Sequence, residues 1–136
     1  MKSITIVSDD RVGLLADISY ILAKSGINID GISADVVGGK AVISLEVKDQ
    51  KKASHVLTQS GYMTADLEAI IIKASSDVKD RIADMLEDEM IKVHGFSVLT
   101  ADNSEGVYAI NVDKPRKASR LLNTFILGNE INPYGD

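Results

Sequence analysis

The stretch Ser8-Asp9-Asp10-Arg11-Val12-Gly13-Leu14-Leu15 places two carboxylates, a guanidinium and a glycine directly ahead of an apolar run of helical period. A helix beginning there offers unpaired backbone N–H groups and about half a positive charge, which favours a carboxylate. Asp9 or Asp10, with neighbouring carbonyls, could receive an ammonium, and Gly13 would let the backbone approach a ligand closely. Asn28 has both a donor and an acceptor, which suits a zwitterion better than a single charge does. The chemistry on offer is capture of a small zwitterion rather than bond making. The same residues also satisfy a plainer reading, in which Asp9 or Asp10 caps the helix and Gly13 permits the turn.

Other constellations are weaker. His55 and His94 fall on different elements without a second ligand at metal spacing, so no zinc site is expected. Asp80, Asp84, Glu87 and Asp88 run along a helix opposite its apolar residues, as a solvated face does. No nucleophile–base signature or phosphate loop occurs, and Gly38-Gly39 reads as a hairpin turn. The chain has no cysteine, which removes thiol nucleophiles, disulfides and thiolate metal sites together. Neither an enzyme nor a cofactor is expected.

The elements that must position the turn are found by an internal repeat. Ile27-Asn28-Ile29-Asp30-Gly31-Ile32-Ser33 recurs as Ile91-Lys92-Val93-His94-Gly95-Phe96-Ser97, and Val47 to Leu57 recurs as Val112 to Leu122. Residues 1–66 form one copy and 67–136 the other. In the first, Ile4 to Val7 reads as a strand, and Leu14, Leu15, Ile18, Ile21 and Leu22 as one face of a helix stopped by Gly26. Strands over Ile27 to Val37 and Ala41 to Val47 follow, then a helix led by Asp49 and a last strand over Tyr62 to Leu67. The second copy repeats this with a strand over Ala69 to Ala74 and a helix capped by Asp77. Strands over Lys92 to Ala101 and Val107 to Val112 come next, then a helix after Asp113 and an edge strand over Glu130 to Tyr134. The expected fold is α+β: two ferredoxin-like βαββαβ units in tandem, each an antiparallel sheet with two helices on one face.

With these elements in place, the first copy resembles an ACT domain, the small regulatory module that binds amino acids. Members carry an acidic or polar residue, a cation, often proline, then glycine and two aliphatics at the first turn, here Asp10-Arg11-Val12-Gly13-Leu14-Leu15. They open the second strand with a pair such as Asn28-Ile29. Val12 departs from the frequent proline. The resemblance implies a ligand pocket at an interface between two ACT units, lined by Asp9, Asp10, Arg11, Val12, Gly13, Leu14, Asn28 and Ile29. It also implies a homodimer or higher assembly and a partner such as an amino-acid biosynthetic enzyme. The second copy lacks the glycine and has Lys92 in place of Asn28, so a degenerate site is expected there. The alternative is a dimerisation or docking module without ligand.

Charge and composition bound the partners. Residues 1–65 carry seven Lys or Arg and seven Asp or Glu, whereas residues 66–136 carry eight and thirteen, so the net −5 falls in that second stretch. An acidic half with six Phe and Tyr in all and no Trp disfavours nucleic acid and anionic membrane. No apolar run nears the roughly 20 residues of a membrane span, and the first residues enter a strand without a signal peptide's apolar region, so a cytoplasmic location is expected.

Overall fold

Strand β1 (Ile4–Asp9) alternates Ile4 and Ile6 against Thr5 and Val7, and all four are buried, so both faces of its sheet are covered. In the computed structural model, which describes residues 3–127, β1 pairs with β3 (Lys40–Glu46). On its other side it pairs with a two-residue strand, β4 (Met63–Thr64). The hairpin partner β2 (Gly31–Val37) lies at the opposite edge, giving the order β2-β3-β1-β4. Helices α1 (Leu14–Lys24) and α2 (Gln50–Gln59) cover one face. Leu14, Ile18 and Leu22 of α1 and Ala53 and Leu57 of α2 close a core over Ile4, Ile6, Ala41, Ile43 and Leu45. Asp49 caps α2 by accepting the Lys52 N–H at 3.0 Å, as its position ahead of the helix suggests.

The second unit repeats the order with β5 (Ile70–Ser75), α3 (Ser76–Asp88), β6 (Val93–Ala101), β7 (Glu105–Val112) and α4 (Pro115–Leu121). Its sheet runs β5-β7-β6. Ile72, Ile82, Leu86, Ile110, Ala118 and Leu122 form its core.

Two local expectations are corrected. The expected last strand of the first copy shrinks to Met63–Thr64, because Ala65 N–H still reaches Thr5 but the chain then turns at Asp66. Asp77 does not cap α3; Ser75 does, its Oγ accepting from Val78 N–H, because β5 passes into the helix with no intervening loop. Asp113 precedes α4 as expected, and its carboxylate accepts the Lys92 N–H at 2.9 Å. The strand expected over Glu130 to Tyr134 lies outside the described residues. Within them, the free edge of β5 is met by a bridge between Ile72 and Ile126.

The two sheets pack back to back through the faces their helices leave open. Val7, Val37 and Val42 meet Ile71, Val107 and Ala109 there, producing four layers with helices outside. At one end of this seam the β2–β3 turn is pressed onto the second unit. Gly38 has φ +60°, and a Cβ on it would lie 2.5 Å from the Ala101 carbonyl oxygen, so only glycine fits.

Candidate functional site

Gly13 occupies the N-cap position of α1 in the left-handed region, φ 83°, and has no side chain to cap with. The Asp17 N–H reaches the Gly13 carbonyl and the Leu14 N–H that of Arg11. Among the described residues nothing accepts the N–H of Leu15 or Ala16. These two donors open into a cleft of about 440 Å³ between the start of α1 and the edge strand β2. Leu14, Ala41 and Ile43 form its floor, Asp10, Arg11 and Gly13 its rim, and Ala34, Asp35 and Val36 its wall. Its size lies within the ordinary range for small-molecule sites.

The residues picked out by sequence separate into groups. Asp10, Arg11, Gly13 and Leu14 line the cleft. Asp10 has no ion-pair partner among the described residues, which leaves its carboxylate available for a cation. Arg11 is engaged elsewhere: its guanidinium bonds Asp17 at 3.1 Å and the Tyr62 hydroxyl at 2.8 Å, and Tyr62 in turn donates to Asp17. The Tyr62 hydroxyl and then Arg11 hold the Asp17 carboxyl below its ordinary value, while burial and Asp17 raise that of Tyr62. This triad anchors the turn to the chain entering β4. Asp9 is ion-paired with Lys40 at 2.5 Å, which lowers its pKa through that hydrogen bond. Val12 is fully exposed.

Asn28 and Ile29 are not at the cleft of their own chain. They follow the C-terminal end of α1, roughly 16 Å of helix away from Gly13. Asn28 borders a smaller depression of about 220 Å³ beside Lys48 and Lys52, and Ile29 packs against the first core. Sequence reading missed the wall residues Ala34 and Val36 and the partners of Arg11. It also missed what stands at the equivalent place in the second unit.

There the 65-residue offset that aligns β3 with β7 puts Tyr108 where Ile43 stands and Gly106 where Ala41 stands. Register agrees, since Ile43 faces Ala34 on β2 and Tyr108 faces Val98 on β6. The Tyr108 ring is buried, 5.6 Å from Phe96 and 6.0 Å from Lys79 Nζ of the first turn of α3. A Cβ on Gly106 would come within 2.5 Å of its hydroxyl, so the ring lies over the glycine. The second unit fills with a tyrosine the space that the first leaves open. A comparison of repeats position by position, extended from helices to strands, would have exposed this exchange of Ala and Ile for Gly and Tyr.

The cleft therefore lies at an uncapped helix start on a ferredoxin-like unit. Residues 2–59, which make up the first unit, match the ACT domain family, and the second unit repeats that unit's order of elements. No curated protein sequence matches the chain. Among solved structures, it is similar to a Bacteroides thetaiotaomicron protein at 18% identity, covering 90% of this chain and 86% of that one, with TM-score 0.48. It is also similar to the ligand-free regulatory subunit of aspartate kinase from Thermus thermophilus, at 15% identity, 90% of each chain and TM-score 0.42. A third is the acetolactate synthase small subunit from Thermotoga maritima, at 15% identity, 96% and 88% coverage and TM-score 0.39. No helix among the described residues is long and apolar enough to cross a membrane. No group of three or more His, Asp or Glu among them is placed to hold a metal ion.

Proposed function

We propose that the protein is a stand-alone regulator that binds one small amino acid per chain in the cleft at the start of α1 and reports its presence to an enzyme of amino-acid metabolism. The observation that carries this reading is the pair of unpaired N–H groups of Leu15 and Ala16 facing an open cleft on the unit that matches the ACT family. The ligand carboxylate takes those N–H groups, and Asp10 receives its ammonium. Ala34, Val36 and Ile43 leave room for a small side chain.

Asn28 enters this site from a second copy. Strand β2 is an edge, and its residues Ile32 and Val36 are exposed apolar groups. Antiparallel pairing of two β2 strands about Ala34 sets Ile32 of one copy opposite Val36 of the other. It carries the partner's Asn28 past the end of β2 where the cleft lies. The homodimer thus completes two equivalent sites. A thermal-shift screen against the twenty amino acids tests the reading, since a ligand at 100 times its Kd adds about 2.7 kcal/mol of stability. A screen without any shift, with a dimer still present by sedimentation, would favour the docking module without ligand.

A further inference from the structure

Strand β2 serves two surfaces at once. Ala34, Asp35 and Val36 line the wall of the cleft, and the Asp35 carboxylate and the Val37 side chain turn to the second unit, as alternation along a strand requires. The Asp35 carboxylate accepts from Lys73 Nζ of β5 at 2.9 Å, and Lys73 also lies 3.8 Å from Glu105 of β7. Two residues on, the Val37 carbonyl accepts the buried Thr100 hydroxyl at 2.8 Å, and Gly38 abuts Ala101. Within its own sheet β2 pairs only with β3. The opposite wall, α1, packs in the first unit against α2 and the sheet core. The separation of the two walls therefore depends on where the second unit holds β2.

We infer that Lys73 of the second unit is a positioning residue for the cleft of the first, because it fixes the strand that forms the cleft's wall. This inference rests on the cleft being the amino-acid site. The cleft and the junction between units share β2, so an occupant that draws the wall toward α1 must change the junction, and a change at the junction must change the affinity by the same factor. The second unit, with its own cleft filled by Tyr108, is then the rigid body against which the first is read.

The test uses the full chain with Lys73→Met, which keeps the stem and removes the cation, and Lys73→Arg, which keeps the charge. In Lys73→Met, hydrogen exchange of the β2 amides should rise about tenfold while that of Ile6 in β1 stays unchanged. The backbone signals of Leu15 and Ala16, across the cleft from β2, should shift. With an equimolar pool of the twenty protein amino acids as probe, the rise in Tm seen for the natural protein should at least halve, and Lys73→Arg should restore all three readouts. The inference is overturned if exchange is unaltered or rises equally throughout, or if the Leu15 and Ala16 signals coincide with those of the natural protein. A pool that leaves the natural protein's Tm unmoved would instead refute the binding reading, and the exchange data would still decide the role of Lys73.

Discussion

The two units present the same helix start in opposite states. In the first, a glycine in the left-handed region leads α1, no side chain caps it, and the floor behind it is built from Ala41 and Ile43. In the second, Ser75 caps α3 directly from the end of β5, and Tyr108 lies over Gly106 in the corresponding space. Each difference alone is a small local change. Together they convert a helix start with two unpaired N–H groups into one where Ser104 accepts from the Ser76 N–H, Ser75 accepts from the Val78 N–H, and Tyr108 occupies the space over the apolar floor. The fold is thus compatible with either arrangement, and the residues at these few positions decide it.

The largest effect expected from disturbing this contrast is at the filled cleft. Tyr108→Ala removes a buried ring from the second core and should cost about 3–5 kcal/mol, read as a fall in the denaturation midpoint. A loss under about 1 kcal/mol would mean that the ring is not wedged where the first unit is open. The effect on binding comes next. Asn28→Ala should weaken amino-acid affinity by about 1–3 kcal/mol, measured calorimetrically, while leaving the fold intact because Asn28 is exposed in its own chain. Lys92→Ala, at the matching place of the second unit, should leave affinity unchanged. Equal losses at both positions would indicate two working sites and erase the contrast.

How much of this was legible beforehand follows from the physics of each element. The helices and hairpins were readable because the apolar period of α1 and the repeated Ile-x-x-x-Gly segments bury one face each. The cap of α3 was not, since Ser75, Ser76 and Asp77 are all good cap residues and only the absence of a loop selects the first. The back-to-back seam was partly legible in the apolar Val7, Val42, Ile71 and Val107, which point away from the helices. Its meaning depended on knowing which face each helix covers. At the candidate site the turn residues were readable from their types. The β2 wall and the engagement of Arg11 by Asp17 and Tyr62 were not, because they join segments far apart in sequence.

A smaller effect separates the two helix starts directly. Ser75→Ala removes the hydroxyl that accepts the Val78 N–H and should destabilise the protein by about 1 kcal/mol. If the open start of the first unit is a ligand's place, the variant should leave amino-acid affinity unaltered. A concurrent loss of affinity would show that the capped start also contributes to binding.

The smallest expected effect is in acid, and it again distinguishes the units by where their carboxylates are held. Asp102, in the β6–β7 turn, accepts from the Glu105 and Ser104 N–H groups and the Ser104 hydroxyl, with a further contribution from the Gly38 N–H of the first unit. These bonds lower its pKa from 3.8 to about 2. A carboxyl whose folded pKa is depressed binds protons more readily when unfolded, so its contribution is complete above pH 3.8 and fades as pH falls toward 2. Asp9 and Asp17 are lowered in the same direction by Lys40 and by Tyr62 with Arg11, so the first unit loses stability in that region too. Asp102→Asn should therefore lower Tm slightly at neutral pH and reduce the further loss between pH 4 and pH 2. The remaining slope in that variant reports the first unit's carboxylates. If the acid profile of Asp102→Asn coincides with that of the natural protein after the neutral-pH offset, the turn's hydrogen bonds do not favour the charged carboxylate. The grip of the second unit on Gly38 would then rest on shape alone.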